Sequence, residues 1–245
     1  MRVVKADDYQ TWFIQEDGFS LLVDPWLDKK LNPHSSFFLQ RSRDKPSSLG
    51  QEDLDNINAI IITAPFIDHL HFPSLNKFNK DIHIYTSRKI KKRLTKKGFC
   101  NVISCINENP IEIGPFILTT YPAGFPYNWS SFCFFLENKG GKRLFHESHI
   151  ANLALLEKLN QKSDIALLTV DSVKFLGLLK LSMGLDQALK TLSLLEANKI
   201  MATGTNPNEL KGLIKKVLMI QEKEQNHMAR KEIQLFYKRG DEVII

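Results

Sequence analysis

One run of the 245-residue chain concentrates side chains suited to metal and proton chemistry: Thr63-Ala64-Pro65-Phe66-Ile67-Asp68-His69-Leu70-His71. Asp68, His69 and His71 can each ligate a borderline divalent ion. Three such ligands leave a position for water, whose pKa the ion lowers to about 7. A second run, Phe145-His146-Glu147-Ser148-His149, sets Glu147 and His149 two residues apart. In an extended strand that spacing points both to one side, where they can face a common ion. Each run also has a plainer reading. Asp68 and His69 suit a surface loop or a helix cap, and Glu147 and His149 suit capping of a helix that follows them.

These groups act together only if the fold gathers them. Ala59-Ile60-Ile61-Ile62-Thr63 is an unbroken apolar run, as found in strands buried on both faces, and it leads directly into the first cluster. A sheet covered by helices is therefore expected, with Asp68 and His69 at a strand end, where layered α/β folds place their sites. Upstream, residues 2–6, 11–14 and 19–23 read as an antiparallel meander punctuated by Asp7-Asp8 and Asp17-Gly18. Asp24-Pro25-Trp26-Leu27 then opens a stretch without periodicity up to about Glu52, expected as a long functional loop. Next come a strand at 83–86 and a helix over 88–97 between Ser87 and Gly98. Strands at 102–105, 111–121 and 132–136 follow, and Asn138-Lys139-Gly140-Gly141 turns the chain back into 143–146. The last hundred residues alternate, with helices over 150–159, 185–197 and 207–221 and strands over 165–169, 199–202, 233–237 and 242–245. Asn206 as N-cap and Pro207 at the first helical position mark the third of these helices. The order implies an α/β fold of two mixed sheets face to face with helices outside.

The length and a 43% hydrophobic content suit one domain over residues 1–245. No stretch approaches the roughly 20 apolar residues of a membrane span, and Lys5, Asp7 and Asp8 interrupt any signal-peptide core. A soluble cytoplasmic protein with no membrane partner is expected. Cys100, Cys105 and Cys133 form no Cys-x-x-Cys pair and read as reduced thiols. The net charge of +6 is small for a dedicated nucleic-acid binder. Seven basic residues nevertheless crowd 88–97, while Ile90 and Leu94 mark its buried stripe. That helix reads as a solvated face or, through Arg88, Lys91, Lys92 and Arg93, as a landing site for an anion such as a nucleic acid. Gly-x-Ser-x-Gly, Gly-x-x-x-x-Gly-Lys and Gly-x-Gly-x-x-Gly are all missing, so serine-esterase, nucleotide-hydrolase and dinucleotide readings lack their anchors.

The frame Thr63-Ala64-Pro65-Phe66-Ile67-Asp68-His69 resembles the Thr/Ser-His-x-His-x-Asp-His run that follows a buried strand in the metallo-β-lactamase superfamily. Asp68 and His69 keep the Asp-His pair, while the leading histidines are Ala64 and Phe66, which cannot bind metal. A branch from photosynthetic organisms is similar: its leading histidines are replaced, and Asp-His-x-His precedes a proline, as in His71-Phe72-Pro73. Leu22-Val23-Asp24-Pro25-Trp26-Leu27 resembles that branch's Asp-Pro-Trp segment, although Asp24 reads equally as a turn residue before proline. Phe145-His146-Glu147-Ser148-His149 resembles its Tyr-x-Glu-Pro-His segment, at the place of the superfamily's bridging aspartate. Superfamily members carry further histidines where this chain has Tyr121-Pro122-Ala123-Gly124-Phe125-Pro126 and Thr203-Gly204-Thr205.

The resemblance implies a metallo-β-lactamase-like αββα four-layer sandwich and a metal-dependent hydrolase acting on an ester, amide or phosphoester bond of a small molecule. It also implies an incomplete mononuclear site: Asp68, His69, Glu147 and His149 as ligands, His71 or Asp24 as an extra ligand or support, and Asp68 as the catalytic proton carrier. Zinc, manganese and iron suit these donors equally. An absent metal suits the missing histidines just as well, and then the protein is a non-catalytic binding or scaffold descendant of the fold. Trp26, His34, Phe66, Tyr127 and Thr205 are expected around the pocket, with Phe37, Phe38, Phe125 and Trp129 in the flanking loops.

Overall fold

The computed structural model describes residues 1–31, 40–203, 209–221 and 233–245. Two seven-stranded mixed sheets dominate it. In spatial order the first contains Glu242–Ile244, Arg2–Lys5, Trp12–Glu16, Phe19–Val23, Ile57–Ile62, His83–Thr86 and Val102–Ser104. The expected meander pairs antiparallel, and the strands from Phe19–Val23 onward run parallel. The second sheet mirrors this plan: Gln234–Phe236, Lys199–Thr203, Ile165–Thr169 and Arg143–Glu147 are parallel, and Phe132–Asn138, Phe116–Pro122 and Ile111–Ile113 continue it antiparallel.

Alternation along each strand builds three apolar layers. Ala59 and Ile61 join Trp12, Leu21, Phe134, Leu144 and Leu167 between the sheets. Ile60 and Ile62 face the other way, against Ile90 and Leu94 of the helix Arg88–Lys96. The outer face of the second sheet is covered by the helices Leu153–Leu159 and Leu185–Leu194, through Leu156, Ala188 and Leu192. The unbroken apolar run at 59–62 thus reflects a strand covered on both sides, and the whole is the expected αββα sandwich.

Several expected elements differ in extent. The single strand at 111–121 is a hairpin, because Gly114 takes a positive φ of 57° with Phe19 packed where a side chain would begin. The helix expected over 150–159 starts at Leu153, where the Asn152 side chain accepts the Leu155 amide. The helix expected over 207–221 is overturned. Glu209–Lys211 pairs with Gln40–Ser42, Gly212 turns the chain at φ 98°, and only Leu213–Val217 is helical. Leu218–Gln221 then pairs antiparallel with Ser172–Phe175. Asn206 and Pro207, which signposted the helix, lie outside the described residues. The strands Ser172–Phe175 and Leu179–Ser182, unforeseen in the sequence, complete a small three-stranded sheet with Leu218–Gln221. The long loop after Asp24 also contains structure, including the helix Gln51–Asp55.

Candidate active site

The strands Ile57–Ile62 and Arg143–Glu147 end at the same edge of the sandwich, so the loops leaving them meet. The rings of His69 and His149 stack at 4.7 Å between centroids, with planes 21° apart. Two ties hold the sheets together at this edge: the Phe132 amide donates to the Thr63 carbonyl at 3.3 Å, and the buried Lys5 ammonium donates to the Ala202 carbonyl at 2.7 Å.

His69 is positioned from behind by Asp24, a wholly buried residue held in the left-handed region at φ 46°. His69 Nδ1 lies 2.7 Å from Asp24 Oδ2, and the Thr63 amide donates to Asp24 Oδ1 at 2.8 Å. The Thr63 hydroxyl lies 2.5 Å from Asp24 Oδ2 and 3.1 Å from His69 Nδ1. Burial alone would disfavour both charges, but each stabilises the other: Asp24 is held below the usual carboxylate range and His69 above the usual imidazole range. With Nδ1 committed to Asp24, the buried Nε2 of His69 has no hydrogen-bond partner among the described residues.

Glu147 is treated similarly. Its Oε1 accepts the His149 amide at 2.8 Å, while its buried Oε2 has no partner among the described residues. Burial raises the Glu147 carboxyl to about 8, and burial next to the His69 charge pushes the His149 imidazole down to about 3. Asp68 accepts from the Tyr9 hydroxyl at 3.0 Å and lies 3.8 Å from Arg41 Nη1. Although burial opposes its charge, neighbouring His69 and Arg41 keep its pKa low.

The remaining expected residues divide. His71 faces away: its Nδ1 meets the Ser74 hydroxyl and its Nε2 the Leu31 carbonyl, each at 2.7 Å, so both ring nitrogens are engaged, one with the helix Phe72–Leu75 and one with the Leu31 backbone. Trp26 is buried behind Tyr9, with the Arg43 guanidinium over its ring at 4.5 Å. Phe66 and Tyr127 stand at the site, packing on each other at 5.7 Å and on His149 at 5.6 and 4.1 Å. Gly124 makes this placement possible: a Cβ there would sit 2.5 Å from the Ile150 carbonyl oxygen, so only glycine lets the Tyr127 loop lie against the segment after His149. Phe125 and Trp129 of the same loop project into solvent. His34, Phe37, Phe38 and Thr205 lie outside the described residues. Arg88, Lys91, Lys92 and Arg93 are exposed on their helix, and Arg93 reaches the Pro65 carbonyl at 2.8 Å.

A cavity of about 520 Å³ opens beside these groups. Tyr9, Arg41, Asp68, Ser148, His149 and Asp171 contribute polar groups to it, while Phe66, Ile67, Val173, Phe175, Leu181 and Leu218 supply an apolar wall. Tyr9, Arg41 and the wall from the small sheet were not anticipated, since nothing local in their sequence marks them. His146 was also passed over: it points between the sheets and stacks on Phe134 at 4.8 Å, and burial pushes its pKa down to about 4.

Two buried side chains at the site offer donors suited to a divalent ion. The unpartnered His69 Nε2 and Glu147 Oε2 are a nitrogen and an oxygen donor, and His69 has the carboxylate support that metal-bound imidazoles use. Ala64 and Phe66 offer nothing to a second ion. Among the described residues, no three histidine, cysteine, aspartate or glutamate side chains are already grouped to hold a metal.

A sequence profile described as the beta-lactamase superfamily domain matches residues 20–204, which span both sheets and both converging loops. The chain belongs to the beta-lactamase superfamily. Solved structures agree on the fold. A possible metal-dependent hydrolase from Veillonella parvula superposes with a TM-score of 0.76 at 15% identity, covering 100% of this chain and 99% of its own. An isothiocyanate hydrolase from Delia radicum gut bacteria gives 0.76 at 16%, with the same coverage. The metallo-beta-lactamase fold protein YhfI from Bacillus subtilis gives 0.65 at 14%, covering 99% and 98%. No curated protein matches the chain. In this chain the Phe66, Tyr127 and His149 rings cluster beside the Asp-His pair.

Proposed function

We propose that the protein is a hydrolase working with a single divalent ion held by His69 and Glu147, with Asp68 and His149 completing the ligand set. The observation that supports this most is the buried, unpartnered Nε2 of His69, backed through Nδ1 by Asp24. A bound ion there supplies Lewis acidity and brings the pKa of a bound water toward neutrality. The chain's own residues do the rest. Asp24 fixes the orientation of the His69 ring, and Asp68, when released from the ion, accepts a proton from an attacking water at the cavity wall. Tyr9 and Arg41 orient a carbonyl or anionic oxygen of the substrate, and the apolar wall receives its hydrophobic body. An ester, amide or phosphoester of an amphipathic small molecule suits that cavity. The hydrolase descriptions of the Veillonella parvula and Delia radicum gut bacterial proteins favour the same class.

The test is metal analysis of protein purified without added metal, followed by reconstitution. About one equivalent is expected, lost in His69→Ala and Glu147→Gln variants whose circular dichroism is unchanged. Less than about a tenth of an equivalent, with no gain on reconstitution, overturns the proposal.

A second reading, a non-catalytic ligand-binding descendant, draws on the ring cluster: Phe66 fills a leading-histidine position and packs on His69 at 6.2 Å and on His149. Turnover that disappears in Asp68→Ala, with folding intact, excludes it.

A further inference from the structure

Residues 172–182 form a hairpin whose sequence choices the fold does not explain. Its inner side chains, Val173, Phe175 and Leu181, wall the cavity. Its tip is apolar and points outward: Leu176 is 60% exposed and Leu178 90% exposed, with Phe175 and Leu179 also in contact with solvent. Leu176 adopts the left-handed region at φ 51°, where a leucine is strained and glycine or asparagine is the ordinary choice. Lys174 and Lys180 pair directly across the hairpin, an arrangement of like charges that weakens a sheet. Three local rules are therefore broken in one short element, at the mouth of the cavity, and such violations concentrate where function overrides stability.

The surroundings extend the pattern. The Leu176 amide donates to the Val217 carbonyl at 2.8 Å, which seats the short helix Leu213–Val217, with exposed Leu213, beside the tip. Residues 172–182 and 213–217 together carry four lysines and no acid, although Asp186 lies near Lys180, whose ammonium donates to Gln187 Oε1 at 2.7 Å. The loop that delivers Tyr127 to the cavity wall exposes Phe125 and, at 90%, Trp129. Leucine, phenylalanine and tryptophan ringed by lysine match a lipid surface, with apolar side chains entering the acyl boundary and ammonium groups meeting anionic headgroups.

We propose that the 172–182 hairpin, together with the exposed Trp129, docks the protein on an anionic lipid bilayer so that the cavity opens onto the membrane surface. No helix among the described residues is long and apolar enough to cross a membrane, so this is contact with one leaflet. It differs from the absence of a membrane partner expected from sequence. The inference does not depend on a bound metal.

The experiment is co-sedimentation of the full chain with vesicles of pure phosphatidylcholine and of phosphatidylcholine mixed with phosphatidylglycerol. Trp12 and Trp26 are buried, so Trp129 dominates any fluorescence change on exposure to vesicles. Binding to the anionic vesicles, with a blue shift of Trp129 emission and weakening by salt, is expected. Leu178→Glu should weaken binding at least about tenfold, and Lys174→Ala with Lys180→Ala about thirtyfold, since each lysine near an anionic surface is worth about a factor of five. Leu176→Gly gives a sharper reading, because relief of the left-handed strain should raise the melting temperature while vesicle binding falls. No binding to anionic vesicles at low salt overturns the proposal. So does binding lost in Arg88→Glu with Lys92→Glu but retained in the hairpin variants. Hairpin substitutions that change only the sedimentation coefficient of the free protein overturn it too, assigning the tip to a second copy of the chain.

Discussion

His69 and Asp24, 45 residues apart, are joined by a 2.7 Å contact between Nδ1 and Oδ2 in the wholly buried ground between the two loops that build the site. Asp24 also receives the Thr63 amide and hydroxyl, so one carboxylate fixes both the strand end and the imidazole. Removing it strands a buried imidazolium and two donors. Asp24→Ala should cost about 3–5 kcal/mol in urea denaturation, the usual result of breaking a buried ion pair from one side. A cost under about 1 kcal/mol would show that the pair contributes little.

The buried titratable groups set a pH window for stability. His146 and His149 are kept neutral to about 4 and about 3, so below pH 6.5 the unfolded chain binds two protons that the folded protein refuses. Glu147, raised to about 8, binds one proton more in the folded state between its ordinary value and pH 8. From about pH 4.5 to 6.5 the balance favours proton uptake by the unfolded chain, so stability rises with pH. Above 6.5 the histidine contribution ends and Glu147 remains, joined by His69 with its raised pKa, so stability falls toward pH 8. Chemical denaturation of metal-free protein, kept in chelator, should show a maximum near pH 6.5 between pH 5 and 8. A steady climb to pH 8 would contradict the protonated state of Glu147.

Gly124→Ala introduces a methyl group 2.5 Å from the Ile150 carbonyl oxygen. The Tyr127 loop must then shift, at a cost of about 1–3 kcal/mol. Thermal unfolding measures that cost, and tyrosine fluorescence should report the loss of the Tyr127 contact with His149.

Lys5 carries its ammonium into a fully buried position, bonded to the Tyr9 and Ala202 carbonyls and 4.7 Å from the Trp12 ring centroid. Lys5→Ala leaves those carbonyls without a donor and opens a void, so a loss of about 2–4 kcal/mol is expected in the same denaturation assay.

Much of the architecture was legible in the chain. The apolar run at 59–62 announced a strand covered on both faces, the alternation before Asp24 announced a meander, and Ile90 with Leu94 announced the buried stripe of a basic helix. These are local periodicities, fixed by which face of an element water cannot reach. The Asp68-His69 and Glu147-His149 clusters were visible for the same reason, as unusual residue types at strand ends.

Tertiary structure alone decided the rest. His71 resembles a ligand in sequence but spends both nitrogens on Ser74 and Leu31, because the turn after His69 points it at the helix it caps. Arg41 and Tyr9 carry no local signature, yet long-range pairing brings them beside Asp68. Leu218–Gln221 gave up the helix its neighbours promised once a partner strand was available. In each case a contact between residues far apart in the chain outweighed a local preference worth a fraction of a kcal/mol per residue, and no reading of neighbours along the sequence contains that contact.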